Sequence, residues 1–146
     1  MIVKSPVFQD KQFLPVKYSA FGEGINPPLD FLNVPAKAKS LALIFEDLDA
    51  PSGIFDHWLL FNIPPAVKTI GAGSLPANAS SGKNTVGNTD YIPPQPPAGK
   101  VHRYVFTLYA LDLVLPLKEG ADKAAIEKAM LGHVLAKSGL TGLFKR

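Results

Sequence analysis

The chain has 146 residues, 47% hydrophobic and 18% charged, a balance that predicts one globular domain over residues 1–146 and excludes a disordered chain. The absence of cysteine excludes disulfides and thiolate chemistry, and the scattered lysines behind the net charge of +3 exclude a basic nucleic-acid-binding stripe. No apolar run could span a membrane and the first residues lack a signal-peptide pattern, so we expect a cytoplasmic protein without stable membrane insertion.

Short apolar runs separated by prolines and glycines dominate the first 120 residues, which is typical of a β-sandwich or barrel. The run 41–46 is apolar on both faces and indicates a central strand buried from both sides. Weaker strands are predicted at 69–72 and 83–86. The main predicted strands are 2–8, 16–19, 40–46, 57–63 and 102–111.

The segment 71–100 consists mostly of Gly, Ser, Asn, Pro and Ala, with little to fill a core. Loops of this length are usually functional or disordered. Because Tyr91, Ile92 and a stiff proline run lie within it, we expect a long ordered loop that packs against the domain.

A helical period appears near the end of the chain, where Ile126, Met130 and His133 recur with other apolar residues at helical spacing. This pattern predicts one amphipathic helix over residues 122–137, ended by Ser138 and Gly139. His133 would lie inside that helix and outside any main site.

The segment 93–112 has the features of a site, because four prolines stiffen a loop that leads into a strand at His102. Strand alternation places His102 and Tyr104 on one face, about 7 Å apart, and Arg103 on the other. An imidazole and a phenol at that spacing can bind one small anion between them. A core strand with a hydrogen-bonded histidine is the alternative.

Two aspartates follow the buried strand 40–46. We expect Asp47, which leaves the strand directly, to lie in a pocket. For Asp49 we favour a turn-capping role, because Asp accepts backbone N–H bonds readily and Pro51 is a turn residue.

His57 begins an apolar strand, as His102 does, and alternation predicts that it shares a face with Leu59, Phe61 and Ile63, opposite Trp58. If the two histidine strands run the same way in neighbouring positions, both rings line one mouth. That topology is left open by the residues alone.

Known catalytic patterns are absent: there is no nucleophile elbow, phosphate-binding loop, dinucleotide fingerprint or zinc-protease motif. No cofactor is expected. A metal site built from Asp47, Asp49, His57 and His102 is the minor alternative, since no pair among them has a local ligand spacing.

Several longer motifs occur in order along nearly the whole chain. They are INPPLDF and VPAKAKSLALIFEDLDAP (25–51), FDHWLLFNIP (55–64), GKNTVGNTDYIPPQPPAGKVHRYVFTLYALD (82–112) and MLGHVLAKSGLTGLFKR (130–146). Together they resemble the phosphatidylethanolamine-binding protein (PEBP) family, in its bacterial and archaeal YbhB/YbcL-type branch, often called Raf-kinase-inhibitor-like.

The resemblance implies a Greek-key β-sandwich with a small surface pocket for phosphate, phosphoryl head groups, acetate or similar anions. It also implies that the two histidine strands are adjacent, and that the protein forms a homodimer, as many relatives do. By position, the ligand-binding residues would be Asp47, Asp49, Ala50, Pro51, His57, Pro94, Gln95, Pro96, Pro97, His102 and Tyr104.

Three departures from the family pattern bear on the pocket. Leu48 replaces a proline at which the family pattern would suggest a cis peptide, and Pro93 replaces a glycine, which removes a backbone donor and stiffens the loop. Phe144 stands where tyrosine is common, which would remove one hydroxyl from the neighbourhood of the pocket.

The leading hypothesis is a binding protein, not an enzyme. A small anionic or phosphoryl group would lie between His57 and His102, with hydrogen bonds from Tyr104 and amides near Gln95, while Asp47 orients one of the two rings. If Asp47 pairs with His57, the imidazolium is favoured and anion binding strengthens as pH falls. One alternative is a modulator of a kinase or another protein partner through the pocket rim. Another is a weak hydrolase or phosphoesterase that uses the histidines, although no nucleophile is evident.

Overall fold

The computed structural model describes residues 1–146 and contains nine β-strands, one α-helix and one 3₁₀ turn. In chain order these are β1 (Ile2–Lys4), β2 (Gln12–Phe13), the 3₁₀ turn (Val16–Tyr18), β3 (Leu29–Leu32), β4 (Ser40–Asp47), β5 (Phe55–Ile63), β6 (Thr69–Ile70), β7 (Ser80–Ser81), β8 (Val101–Leu111), α1 (Lys123–Met130) and β9 (Val134–Lys145).

The strands form two sheets packed as a β-sandwich. The smaller sheet has the order β1-β3-β6, and the larger one has the order β2-β9-β8-β4-β5-β7. Neighbouring strands are antiparallel except for β2 and β9. The prediction of a mostly β fold with one helix near the C terminus is confirmed.

Two apolar clusters cover the two faces of the larger sheet. One, of 19 buried residues, fills the space between the sheets, and the other, of 8 residues, lies under α1. In β4, Leu43 and Phe45 belong to the first cluster, while Ala42 and Ile44 belong to the second. This strand is therefore buried from both sides, as its apolar run predicts.

The strands that carry the two histidines are not adjacent, contrary to the expectation from the family resemblance. β4 lies between β5 and β8 and is antiparallel to both, so β5 and β8 run in the same direction. Their first residues therefore meet at one end of the sheet, where the C-terminal end of β4 also lies.

The chain ends in a strand, and the predicted helix over 122–137 is wrong in its second half. Asp122 caps α1, since its side chain accepts the Ala125 N–H at 2.9 Å, and Gly132 has a φ of 80° that a right-handed helix cannot continue. His133 lies in the following turn, where its Nδ1 is 2.7 Å from Asp112 Oδ1. β9 then pairs with β8 along its length.

The shortest elements also differ from prediction. Residues 16–18 form a 3₁₀ turn after Pro15 rather than a strand, and β7 lies before the predicted segment 83–86. β2 and β3 were not predicted. A strand of two to four residues is too short to show a period of alternation, so its sequence carries little signal.

Candidate functional site

A β-bulge in β5 sets the position of His57. In the pairing of β4 with β5, Glu46 lies opposite Asp56 and Phe45 lies opposite Trp58, which leaves His57 as the extra residue on its strand. A bulge of this kind bends a strand and redirects the side chain at the bulge.

The bulge reverses the predicted facing of this histidine. Its ring lies 5.5 Å from the ring of Phe45 and 5.4 Å from that of Tyr104, on the inter-sheet side that also buries Trp58. Leu59 and Phe61 face the helix side instead. The prediction that His57 shares a face with Leu59 and Phe61 is therefore wrong, because strict alternation does not survive the extra residue.

His57 is held by the loop that precedes β8. Its Nδ1 lies 2.7 Å from the carbonyl oxygen of Ile92, and its own carbonyl accepts the Ile92 N–H at 3.0 Å. A carbonyl only accepts hydrogen bonds, so Nδ1 carries the proton that it donates to Ile92. Burial lowers the pKa of His57, and the hydrogen bond to Ile92 and the charges of Asp47 and Asp56 raise it by less.

The ring that Asp47 orients is that of His102, and not that of His57. Asp47 Oδ2 lies 2.8 Å from His102 Nδ1, and both side chains are buried. Asp47 Oδ1 accepts the N–H of Asp49 at 2.8 Å and so closes the turn after β4. Asp47 lies opposite Tyr104 in the pairing of β4 with β8, so its carboxylate reaches His102 on that strand. Nδ1 of His57 is instead bonded to the Ile92 carbonyl.

Asp49 lies on the outside of the sheet end. It forms a bidentate ion pair with Arg103, at 2.9 and 2.8 Å, and accepts the Arg103 backbone N–H at 2.9 Å. The hydrogen bonds from the Arg103 side chain are the main reason that the pKa of Asp49 falls to about 2. Asp49 therefore anchors the segment after β4 to β8, and it does not line the cavity between the histidines.

Tyr104 lies between the two imidazoles. Its ring is 6.3 Å from that of His102 at an interplanar angle of 25°, and it meets the ring of His57 edge-on at 75°. Burial, followed by the nearby charge of Asp47, raises the pKa of Tyr104 well above its usual range. The phenol therefore stays protonated and keeps its capacity to donate a hydrogen bond.

The loop before β8 is fixed in place by aromatic and amide contacts. Tyr91 stacks on Phe45 with 5.7 Å between ring centroids and donates from its hydroxyl to the Tyr18 carbonyl at 3.0 Å. Asn84 is buried, and its side-chain nitrogen donates to the Asn88 side chain and the Asp90 carbonyl. The proline run is thereby held against the ends of β5 and β8.

These segments enclose one cavity of about 340 Å³. Its lining residues are Asp47, Ala50, Pro51, Phe55, His57, Val86, Ile92, Pro93, Gln95, Pro96, Pro97, His102 and Tyr104. No lysine or arginine lines the cavity. Every fully buried side-chain nitrogen and oxygen has a hydrogen-bond partner, yet Nε2 of His57 and Nε2 of His102 have none within the protein. Both Nε2 atoms are therefore accessible from the cavity.

Most of the predicted site residues meet at this cavity, and two do not. Asp49 faces Arg103, and Pro94 is buried with its carbonyl accepting the Ala20 N–H at 3.0 Å. Sequence reasoning missed four apolar lining residues: Phe55, Val86, Ile92 and Pro93. Their proximity to the predicted histidines and prolines was the only available signal, and it says nothing about which way their side chains face.

The structure shows the surroundings of the three residues that depart from the family pattern, Leu48, Pro93 and Phe144. The chain contains no cis peptide bond, including at Leu48. Pro93 lines the cavity, whereas Phe144 does not: it pairs with His102 across β8 and β9 and stacks on Phe21 at 6.2 Å between centroids.

The structure does not support the alternative of a metal site built from Asp47, Asp49, His57 and His102. No group of three or more His, Asp or Glu side chains is placed to hold a metal ion. Asp49 is bound to Arg103, and Nδ1 of His57 is bound to a carbonyl. The structure also contains no helix long and apolar enough to cross a membrane.

Fold and site together define a β-sandwich protein with a histidine-lined cavity at the end of its larger sheet. A family model described as phosphatidylethanolamine-binding protein matches residues 4–145. A UPF0098 protein of Methanothermobacter thermautotrophicus is 47% identical, over 100% of this chain and 99% of its own. The chain belongs to the phosphatidylethanolamine-binding protein family.

Two solved structures share the fold. CT736 of Chlamydia trachomatis, described as a homolog of the phosphatidylethanolamine-binding proteins, matches with a TM-score of 0.95 at 41% identity, over 99% of this chain and 97% of its own. Escherichia coli YbcL, described as a member of the mammalian PEBP family, matches with a TM-score of 0.90 at 26% identity and the same coverage.

Proposed function

We propose that this protein binds a small anionic or phosphoryl group in the cavity between His57 and His102. The observation that carries the proposal is the convergence of two accessible imidazole Nε2 atoms and the Tyr104 ring on one small cavity. The family name points to the same chemistry, since phosphatidylethanolamine carries a phosphoryl head group.

His102 is the main donor in this proposal. When it is protonated, it donates from Nδ1 to the Asp47 carboxylate, 2.8 Å away, and from Nε2 to the ligand. Hydrogen bonds of this charge-assisted kind contribute about 1.5–3 kcal/mol each. Asp47 thus orients the ring, so that Nε2 faces the cavity. The Tyr104 ring lies beside the same cavity, and its hydroxyl interacts with Asp47.

We propose binding rather than turnover. The cavity lining contains no serine, threonine, cysteine or lysine that could act as a covalent nucleophile. The Asp47–His102 pair resembles the supporting part of a catalytic triad, but the side chain that it would activate is missing from its surroundings. A bound anion needs only the donors already described.

A titration with inorganic phosphate, followed by ¹⁵N NMR of the histidine side chains, tests the proposal. We expect the resonances of His57 and His102 to move together, while those of exposed His133, which lies outside the cavity, stay unchanged. His102→Ala should weaken binding about 10- to 100-fold, because one charge-assisted bond is lost. His102→Gln, which keeps a donor, is the matched variant. If neither cavity histidine responds to phosphate, the proposal is wrong.

A further inference from the structure

A cluster of three charged side chains lies on the helix side of the larger sheet. Nζ of Lys123, the first residue of α1, lies 3.1 Å from Oε2 of Glu46 on β4 and 2.7 Å from Oδ1 of Asp56 on β5. The three side chains are between 18% and 24% exposed, so water screens their charges only in part. Burial lowers the pKa of Lys123, but the hydrogen bonds to Asp56 and Glu46 outweigh this effect and raise the pKa overall, so the ammonium stays charged.

Both carboxylates of this cluster are direct chain neighbours of cavity residues. Glu46 precedes Asp47, and Asp56 precedes His57. In the pairing of β4 with β5, Glu46 lies opposite Asp56, while Asp47 lies opposite Phe55. Alternation from this end of the strand pair therefore places Asp56 on the helix side and His57 on the cavity side.

The backbone at the bulge is bonded to the loop before β8. The carbonyls of Asp56 and His57 accept the N–H groups of Thr85 and Ile92, each at 3.0 Å. The N–H of Asp56 also donates to the Thr85 hydroxyl at 2.8 Å. Because successive carbonyls of a regular strand point to opposite edges, two that bond to the same loop mark the irregular residues. The side chains of Glu46 and Asp56 are therefore left to connect the two strands at this point.

A one-residue slip of this pairing would exchange the two side chains. The pairing that holds on the other side of the bulge would put His57 opposite Glu46 if it continued to the strand end. His57 would then face the helix side, and Asp56 would enter the cavity beside Asp47, because a shift of one residue moves a side chain to the other face. The choice of Asp56 as the partner of Glu46 thus decides which of the two side chains the cavity receives.

Two carboxylates alone would oppose that choice. Like charges that lie directly opposite each other on neighbouring strands destabilise the pairing. Lys123 reverses the sign of this interaction, because one ammonium bonds both Glu46 and Asp56. The first turn of α1 therefore stabilises one of the two possible pairings at the end of the sheet.

We propose that Lys123 is a positioning residue for His57: by holding Asp56 opposite Glu46, it keeps the bulge in place and directs the imidazole into the cavity. Lys123 acts from the other face of the sheet and does not line the cavity. This positioning does not depend on the proposed function, and only its effect on phosphate binding rests on that function.

Lys123→Met tests the proposal in the free protein. We expect the Ile92 amide, which donates to the His57 carbonyl, to exchange with solvent about tenfold faster, as for the loss of one hydrogen bond. The ¹⁵N resonances of the His57 ring should move toward those of an exposed imidazole, because Nδ1 loses the Ile92 carbonyl. The Leu48 amide, bonded to the Arg103 carbonyl at the same end of the sheet, should keep its exchange rate.

Lys128→Met is the matched control, since Lys128 is exposed on the same helix and takes part in none of the ion pairs. It should leave the exchange of Ile92 and the His57 resonances unchanged. Lys123→Arg keeps the charge and the donors, so exchange at Ile92 should stay within about threefold of the wild type.

A double variant separates repulsion from a general loss of stability. Adding Glu46→Gln to Lys123→Met removes one of the two opposed carboxylates, so the His57 and Ile92 signals should return toward those of the wild type. If Lys123→Met alone does not fold, the double variant should restore the folded state. No rescue in either case would overturn the proposal.

The affinity for inorganic phosphate provides a second readout. It should fall about five- to tenfold in Lys123→Met, because the cavity loses one imidazole from part of the population, and stay unchanged in Lys128→Met. Unchanged His57 and Ile92 signals in Lys123→Met, or equally faster exchange at Ile92 and Leu48, would overturn the positioning role. If the wild type binds no phosphate, the proposed function is wrong, while the exchange and ring signals still decide the role of Lys123.

Discussion

Two aspartates separated by one residue have opposite environments in this protein. Asp47 is buried and bonds to the His102 ring and to the N–H of Asp49, whereas Asp49 is partly exposed and bonds to Arg103. Extended geometry would point both carboxylates to one side. Strand β4 ends at Asp47, however, and the turn that follows carries Asp49 to the outside.

We expect Asp47→Ala to lower the free energy of unfolding by about 3 kcal/mol, because it leaves a buried histidine without its partner. The matched change, Asp49→Ala, should have a much smaller effect, since exposed ion pairs contribute little. Urea unfolding of both variants at neutral pH measures the difference. Equal losses would show that burial does not determine how much each carboxylate contributes to the free energy of unfolding.

The contribution of Asp49 to the free energy of unfolding should also depend on pH. Its pKa is about 2 in the folded protein, below the value near 3.9 of an unfolded chain. A lowered pKa stabilises the folded state above the unfolded value, and the contribution disappears as pH falls through the folded value. The stability difference between wild type and Asp49→Ala should therefore shrink from pH 4 to about pH 2. A difference that grows in this interval would contradict the assignment.

Among the elements, the central strands are those that the sequence predicts best. The runs of β4, β5 and β8 are long and apolar, so each run predicts a strand without knowledge of its neighbours in the sheet. The sequence of β9 does not predict a strand, because it is rich in Lys, Ser and Gly, which have low strand propensity. The first half of β9 is also mostly exposed. Pairing with β8 makes it a strand. The bulge at His57 is equally a property of the strand pair and not of one run.

Packing of α1 against the larger sheet depends on Gly82. A Cβ added there would lie 2.8 Å from the Ala121 carbonyl oxygen and 2.9 Å from atoms of Ile126 and Leu59. We expect Gly82→Ala to destabilise the protein by about 1–3 kcal/mol through overpacking. Thermal unfolding measures the effect.

Gly139→Ala in β9 is the control for this prediction, since a Cβ at that position meets nothing within 4 Å. Its effect should stay within about 0.5 kcal/mol of zero. Comparable losses in both variants would refute a specific role for close packing at Gly82.

At the scale of the whole molecule, the larger sheet brings the site together. The first residues of β5 and β8 and the last residue of β4 meet at one end of it, and the loop before β8 closes over them. The ligand, the cytoplasmic location and the homodimer stay predictions.

Hydrogen exchange of backbone amides should reflect the position of β4 and β8 in the middle of the larger sheet. Both strands are paired along their length on two sides, whereas β1, β2, β6 and β7 are short and lie at or near sheet edges. We expect amides of β4 and β8 to exchange most slowly, through global unfolding, and those of the short strands to exchange faster through local opening. Mass-spectrometric or NMR exchange measures this order. Fast exchange in β8 would contradict the topology.

Local patterns in the sequence were enough to predict the β-rich class, the three central strands, the family and the residue types of the cavity, because long apolar runs and contiguous motifs can be read without knowledge of the fold. The three-dimensional structure was needed to show that His102, rather than His57, pairs with Asp47, that Asp49 faces outward, and that residues 134–145 form a strand. Each of these outcomes depends on strand order, a bulge or a turn. Residues distant in sequence set these features together, so no local pattern encodes them.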